Sequence, residues 1–128
     1  MINQSSANVV MDAVQNVRGA AVDFSGEQVT GDSGYLVAID GLGTVVRLEG
    51  LTAVNMQSLV NSLIRKVDGL ADPATHGILV TESHGDVYVD VAKRFDDPDA
   101  AARRAEQNEN AYVWDVASGR AVFVPETA

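Results

Sequence analysis

Residues 35–48 read YLVAIDGLGTVVRL: two β-prone runs, Tyr35–Ile39 and Thr44–Leu48, on either side of Asp40-Gly41-Leu42-Gly43. Branched and aromatic side chains suit extended backbone, and the two glycines can take the positive φ angles of a tight reversal. The spacing predicts a hairpin here.

Downstream, Thr52 is placed to cap a helix. Met56, Leu59, Val60, Leu63, Val67 and Leu70 recur along one face of it, with Gly69 and Pro73 to end it. Gly77–Glu82 and Asp86–Phe95 form a second expected hairpin. Val87, Val89 and Val91 alternate there with Asp86, Tyr88 and Asp90, which predicts one buried and one wet face. Asp97-Pro98-Asp99 has the chemistry of a helix start, and Ala101, Ala102 and Ala105 make its apolar face. A third hairpin is expected from Ala111–Val116 and Arg120–Val124, with Pro125 beyond. The implied fold is α+β: a two-layer domain, ββαββαββ, with an antiparallel sheet of three hairpins and two helices on one face.

Upstream, Val10, Ala13, Val14 and Val17 keep helical spacing after the candidate caps Ser5 and Ser6. A glycine-rich stretch without a period follows. Residues 1–34 are therefore expected to be an amino-terminal helix or arm with a flexible connection, and residues 35–128 the α+β domain. The stripe of Val10, Val14 and Val17 is a candidate contact with a second copy of the chain.

The chain has 128 residues, eighteen acids against nine bases and a formal charge of −9. That field disfavours direct nucleic-acid binding and anionic lipid, and favours a basic partner. With no cysteine, disulfides and thiolate metal sites are excluded. The first residues carry neither a basic leader nor a long apolar run, which leads to an expected cytoplasmic location without membrane insertion.

Thr81-Glu82-Ser83-His84-Gly85-Asp86 gathers a serine, a histidine and two acids, but as successive residues of a turn their side chains fan apart. His76 and His84 lie eight apart with no second ligand in register, so no metal or other cofactor is expected, and no catalytic residue is assigned. Gly41-Leu42-Gly43 joins strands, whereas a phosphate loop opens a helix. Tyr112 and Trp114 share a strand face and are read as core. The binding candidates are Asp86, Tyr88 and Asp90, an aromatic flanked by acids on one strand face and suited to an Arg- or Lys-rich protein.

Residues 95–120, from FDDPDAA to NAYVWDVASGR, resemble a cap-helix-hairpin ending met in small uncharacterised proteins of phages and other mobile elements. The resemblance implies an accessory role, such as interference with a host protein, and carries over no functional residue. The leading expectation is a non-enzymatic protein-binding module. The alternatives are a nucleic-acid mimic whose carboxylates stand in for phosphates, and a small-molecule binder using a cleft between sheet and helix.

Overall fold

The computed structural model describes residues 1–108 and 112–123. Its elements are α1 (Gln4–Val17), β1 (Gly19–Val22), β2 (Tyr35–Arg47), α2 (Ala53–Lys66), β3 (His76–Ser83), β4 (Asp86–Phe95), α3 (Pro98–Gln107), β5 (Tyr112–Asp115) and β6 (Arg120–Phe123). The fold is α+β. The six strands form one sheet in the order β1-β3-β4-β2-β5-β6, with every neighbouring pair antiparallel. Ala111, Val124 and Pro125, expected at or beyond the ends of the last hairpin, lie outside the described residues.

The stretch YLVAIDGLGTVVRL does not reverse. Residues 35–47 run as one strand, and both halves pair with β4: Tyr35–Ala38 face Phe95–Ala92, and Gly43–Arg47 face Asp90–Asp86. Residues 39–42 therefore stand opposite Val91 alone, a bulge larger than the usual single extra residue. Ile39 and Leu42 within it pack against the helix-side core, whereas an exposed hairpin turn would leave them in water. The three-hairpin layout is thus replaced by two hairpins, β3–β4 and β5–β6, with β2 between them.

The amino-terminal residues are part of this sheet and core rather than an arm. Asn3, not Ser5 or Ser6, caps α1, its side chain accepting a hydrogen bond from the Ser6 amide at 2.9 Å. Ala7, Val10, Met11 and Val14 are buried against α2 and the sheet. Arg18 turns the chain in left-handed geometry and β1 follows at once, paired with β3. Asn61 of α2 accepts a hydrogen bond from the Ile2 amide (2.8 Å) and donates one to the Ile2 carbonyl (3.1 Å).

In α2, Thr52 caps as expected, accepting from the Asn55 amide. Met56, Val60, Leu63 and Ile64 form its inner face; Leu70, 84% exposed, lies beyond the helix and off that face. The opposing sheet surface is supplied by Ala20, Val22, Ile78, Val80, Val87, Val89 and Val91. Asp97 caps α3, and Ala101 and Ala105 let that helix lie close to Val37 and Val113 on the same side of the sheet. Asn108, at its end, donates to the Ala38 carbonyl at 2.9 Å, at the last paired residue before the bulge.

The opposite face of the sheet curls inward, and β1 approaches β6 so that the sheet is nearly closed into a barrel. Its inner side holds a second core of Ala21, Leu36, Leu79, Ala92, Trp114 and Val116. Gly19 is needed for clearance: a Cβ there would come within 2.9 Å of the Trp114 ring and 3.0 Å of the Val80 carbonyl oxygen. Among the described residues no helix is long and apolar enough to cross a membrane.

Met56 is fully buried at the centre of the helix-side core. Met56→Ala is expected to lower stability by about 2–5 kcal/mol, read as a fall in the urea midpoint with an unchanged m-value.

Candidate functional site

The two-residue periodicity of a strand sends alternate side chains into the curled sheet. From β3 these are Leu79 and Thr81, from β4 Asp90 and Tyr88, from β5 Trp114 and Tyr112. Leu79, Trp114 and their neighbours fill one end of the interior. The other end is a solvent-open cup of about 720 Å³. Arg18, the bulge residues Asp40 and Gly41, Glu82 and Arg120 complete its wall and mouth.

Asp90 is the most distinctive group in the cup. It is half-buried beside Gly43, where a Cβ would run into its carboxylate and approach the Val89 carbonyl oxygen to 3.0 Å. The bulge thus places a glycine where the acid needs room. Among the described residues, no hydrogen-bond donor and no cation within 4.0 Å partners this carboxylate. Burial pushes its pKa up to about 6 from 3.8.

Across the cup, the Tyr112 hydroxyl and Thr81 Oγ1 share a hydrogen bond of 2.8 Å. Their strands are separated in the sheet by β4 and β2, so the bond spans the concavity. Burial raises the Tyr112 pKa; the Thr81 bond opposes this, and the nearby charges of Asp90 and Tyr88 add to it. The Trp114 indole N–H is buried with no acceptor among the described residues. At the mouth, Arg18 Nε lies 3.8 Å from Glu82 Oε2, and Glu82 also accepts from the Gly85 amide at 2.9 Å.

The candidate trio on β4 divides. Asp90 is inside the cup and Tyr88, 40% exposed, stands at its lip. Asp86 lies outside, its carboxylate 2.9 Å from Arg47 Nη1 across the β2–β4 pairing. Val10 and Val14 are buried in the chain's own core, which removes them as a contact for a second copy. Val17 is 64% exposed and reaches the mouth of the cup instead.

The SHGD stretch forms a two-residue turn, with His84 at φ 53° and Gly85 at φ 83° joining the paired Ser83 and Asp86. Ser83 Oγ meets its neighbour's Nδ1 at 2.9 Å, while Asp86 bonds to Arg47, so serine, imidazole and Asp86 do not converge. His76 and His84 sit at opposite ends of β3, roughly 25 Å of strand apart.

The cleft lies within the sheet, not between sheet and helix. Thr81, Tyr112, Trp114, Arg18 and Asp40 are among the lining residues that sequence reasoning did not assign to a site. The shared strand face of Tyr112 and Trp114 was a usable signal; their meeting with Thr81 was not, because it depends on the path of β2.

The raised carboxyl of Asp90 has a signed consequence for stability. The folded chain binds this proton more tightly than the unfolded chain, so the contribution is fully present below pH 3.8 and lost as pH rises through about 6. Asp90→Asn is therefore expected to melt several degrees above the parent at pH 7.5. In thermal scans across pH, that gain should shrink steadily and vanish near pH 4. Comparison with family models, with curated proteins and with solved structures finds no match to this chain.

Proposed function

We propose that this protein is a small-molecule-binding module whose ligand enters the cup of the curled sheet and is held there without covalent chemistry. One observation carries this reading: a cavity of about 720 Å³, within the size range of small-molecule sites, combines an apolar and aromatic wall with a carboxylate that has no partner among the described residues. A half-buried charge without a partner works against folding, so its placement is better explained by what it meets than by what it stabilises. The hydroxyls of Thr81 and Tyr112 and the carboxylate of Asp90 supply the few polar groups that orient a ligand in such a site.

The second reading is a protein partner that inserts a basic side chain into the same cup. It is favoured by the exposure of Tyr88 and Val45, which face each other across β4 and β2 beside the opening. The overall charge of −9 suits either a basic partner or a cationic small molecule.

A fragment screen followed by two-dimensional amide NMR tests the first reading. Binding should shift resonances near Gly43, Thr81, Asp90 and Tyr112 together. Ala121, exposed on the β6 wall, is the position at which to fill the cup. Ala121→Trp is expected to abolish those shifts while circular dichroism and melting temperature stay close to those of the parent. Shifts that persist in a folded Ala121→Trp protein would place binding outside the cup and sink the reading.

A further inference from the structure

We infer that the cup selects an organic monocation, a protonated amine carried on an apolar body about the size of an aromatic ring, with Asp90 as its counter-ion. This rests on the reading of the cup as a ligand site and adds the charge and class of the ligand. Three arrangements support it.

The first is where the charges sit. The acids lining the cup are Asp40, Glu82 and Asp90, and the bases are Arg18 and Arg120. Glu82 is engaged by the Gly85 amide and by Arg18, and the Arg18 side chain is 83% exposed, so water screens it. Arg120 is likewise exposed on β6. Asp90 alone of these five is both half-buried and without a partner among the described residues. A ligand cation at Asp90 is attracted in a less polar setting than a ligand anion at the mouth.

Composition of the wall is the second. Tyr88, Tyr112 and Trp114 line this cup, three of the four Tyr and Trp residues in the chain. Aromatic walls around a carboxylate suit ammonium groups, whose positive charge is attracted to ring faces as well as to the acid. The third is the field outside: a chain of net charge −9 draws cations toward its surface and repels anions.

Protonation of Asp90 should switch the site. The titratable and charged groups that face the cup with it are Asp40 from β2, Glu82 from β3, Tyr88 from β4, Tyr112 from β5, Arg120 from β6 and Arg18 at the α1–β1 junction. Burial moves the Tyr112 hydroxyl pKa up, further from neutrality. With its pKa pushed up to about 6 by burial, Asp90 loses most of its negative charge between pH 7.5 and pH 5.

The test uses three probes of one shape and different charge: phenethylamine, 2-phenylethanol and 3-phenylpropanoate. Each is titrated into the full chain and followed by amide NMR. At pH 7.5 the amine should bind at least about tenfold more tightly than the alcohol, and the carboxylate most weakly. Asp90→Asn should bring the amine to within about twofold of the alcohol, whereas Glu82→Gln should leave the preference intact. At pH 5 the amine should weaken by about tenfold and the alcohol should not. If the alcohol binds in the cup as tightly as the amine, the cation inference fails while the cup remains a ligand site. If none of the three shifts the cup resonances, both readings fail. A preference for the amine that survives Asp90→Asn would overturn the assignment of Asp90.

Discussion

The pairing of β2 with β4 on both sides of an unpaired stretch is the constraint from which the architecture follows. Because Ala38 faces Ala92 and Gly43 faces Asp90, four residues of β2 answer the single Val91. One consequence is apolar: Ile39 and Leu42 turn toward the helices and extend their core. Another is polar: Gly43 arrives beside Asp90 and leaves room for its carboxylate. Strand bulges also bend and twist the strand that carries them, in keeping with a sheet whose first and last strands approach each other. Core and cup are built on opposite faces of the same irregularity.

Local chemistry made much of the chain legible. Thr52 and Asp97 have the side chains that cap helices, and the β3–β4 connection has the glycine required by its turn; all three are where the sequence places them. The 40–43 stretch was not legible, because two glycines serve a hairpin or a bulge equally well. Only the distant β4 decides between them, by offering an edge long enough for both halves of β2. In residues 1–34 the expected helix is present as α1, but its placement as an arm was misread for a related reason: Gly19 resembles a helix stop, yet it also clears the Trp114 ring from β5, nearly a hundred residues on. The valines of α1 fit an intermolecular stripe and an internal one alike, and the short path through Arg18 into β1 brings them onto the sheet.

The candidate site was half visible for similar reasons. Alternation along β4 puts Tyr88 and Asp90 on one wet face, and the cup contains both. Asp86 has the same parity, but β2 brings Arg47 opposite to it and the two neutralise each other. What separates a surface acid from a site acid here is the neighbour across the strand, arginine in one case and glycine in the other. Thr81 and Tyr112, thirty-one residues apart, carry no local sign of their encounter.

That encounter has a mechanical meaning. A hydroxyl pair joining strands that are not neighbours acts as a chord across an arc, fixing how far the sheet can open. Flattening the sheet must break the bond, and tightening it must compress the two side chains. The span of that pair, two side chains reaching from β3 to β5, thereby sets the bore of the cup in this structure.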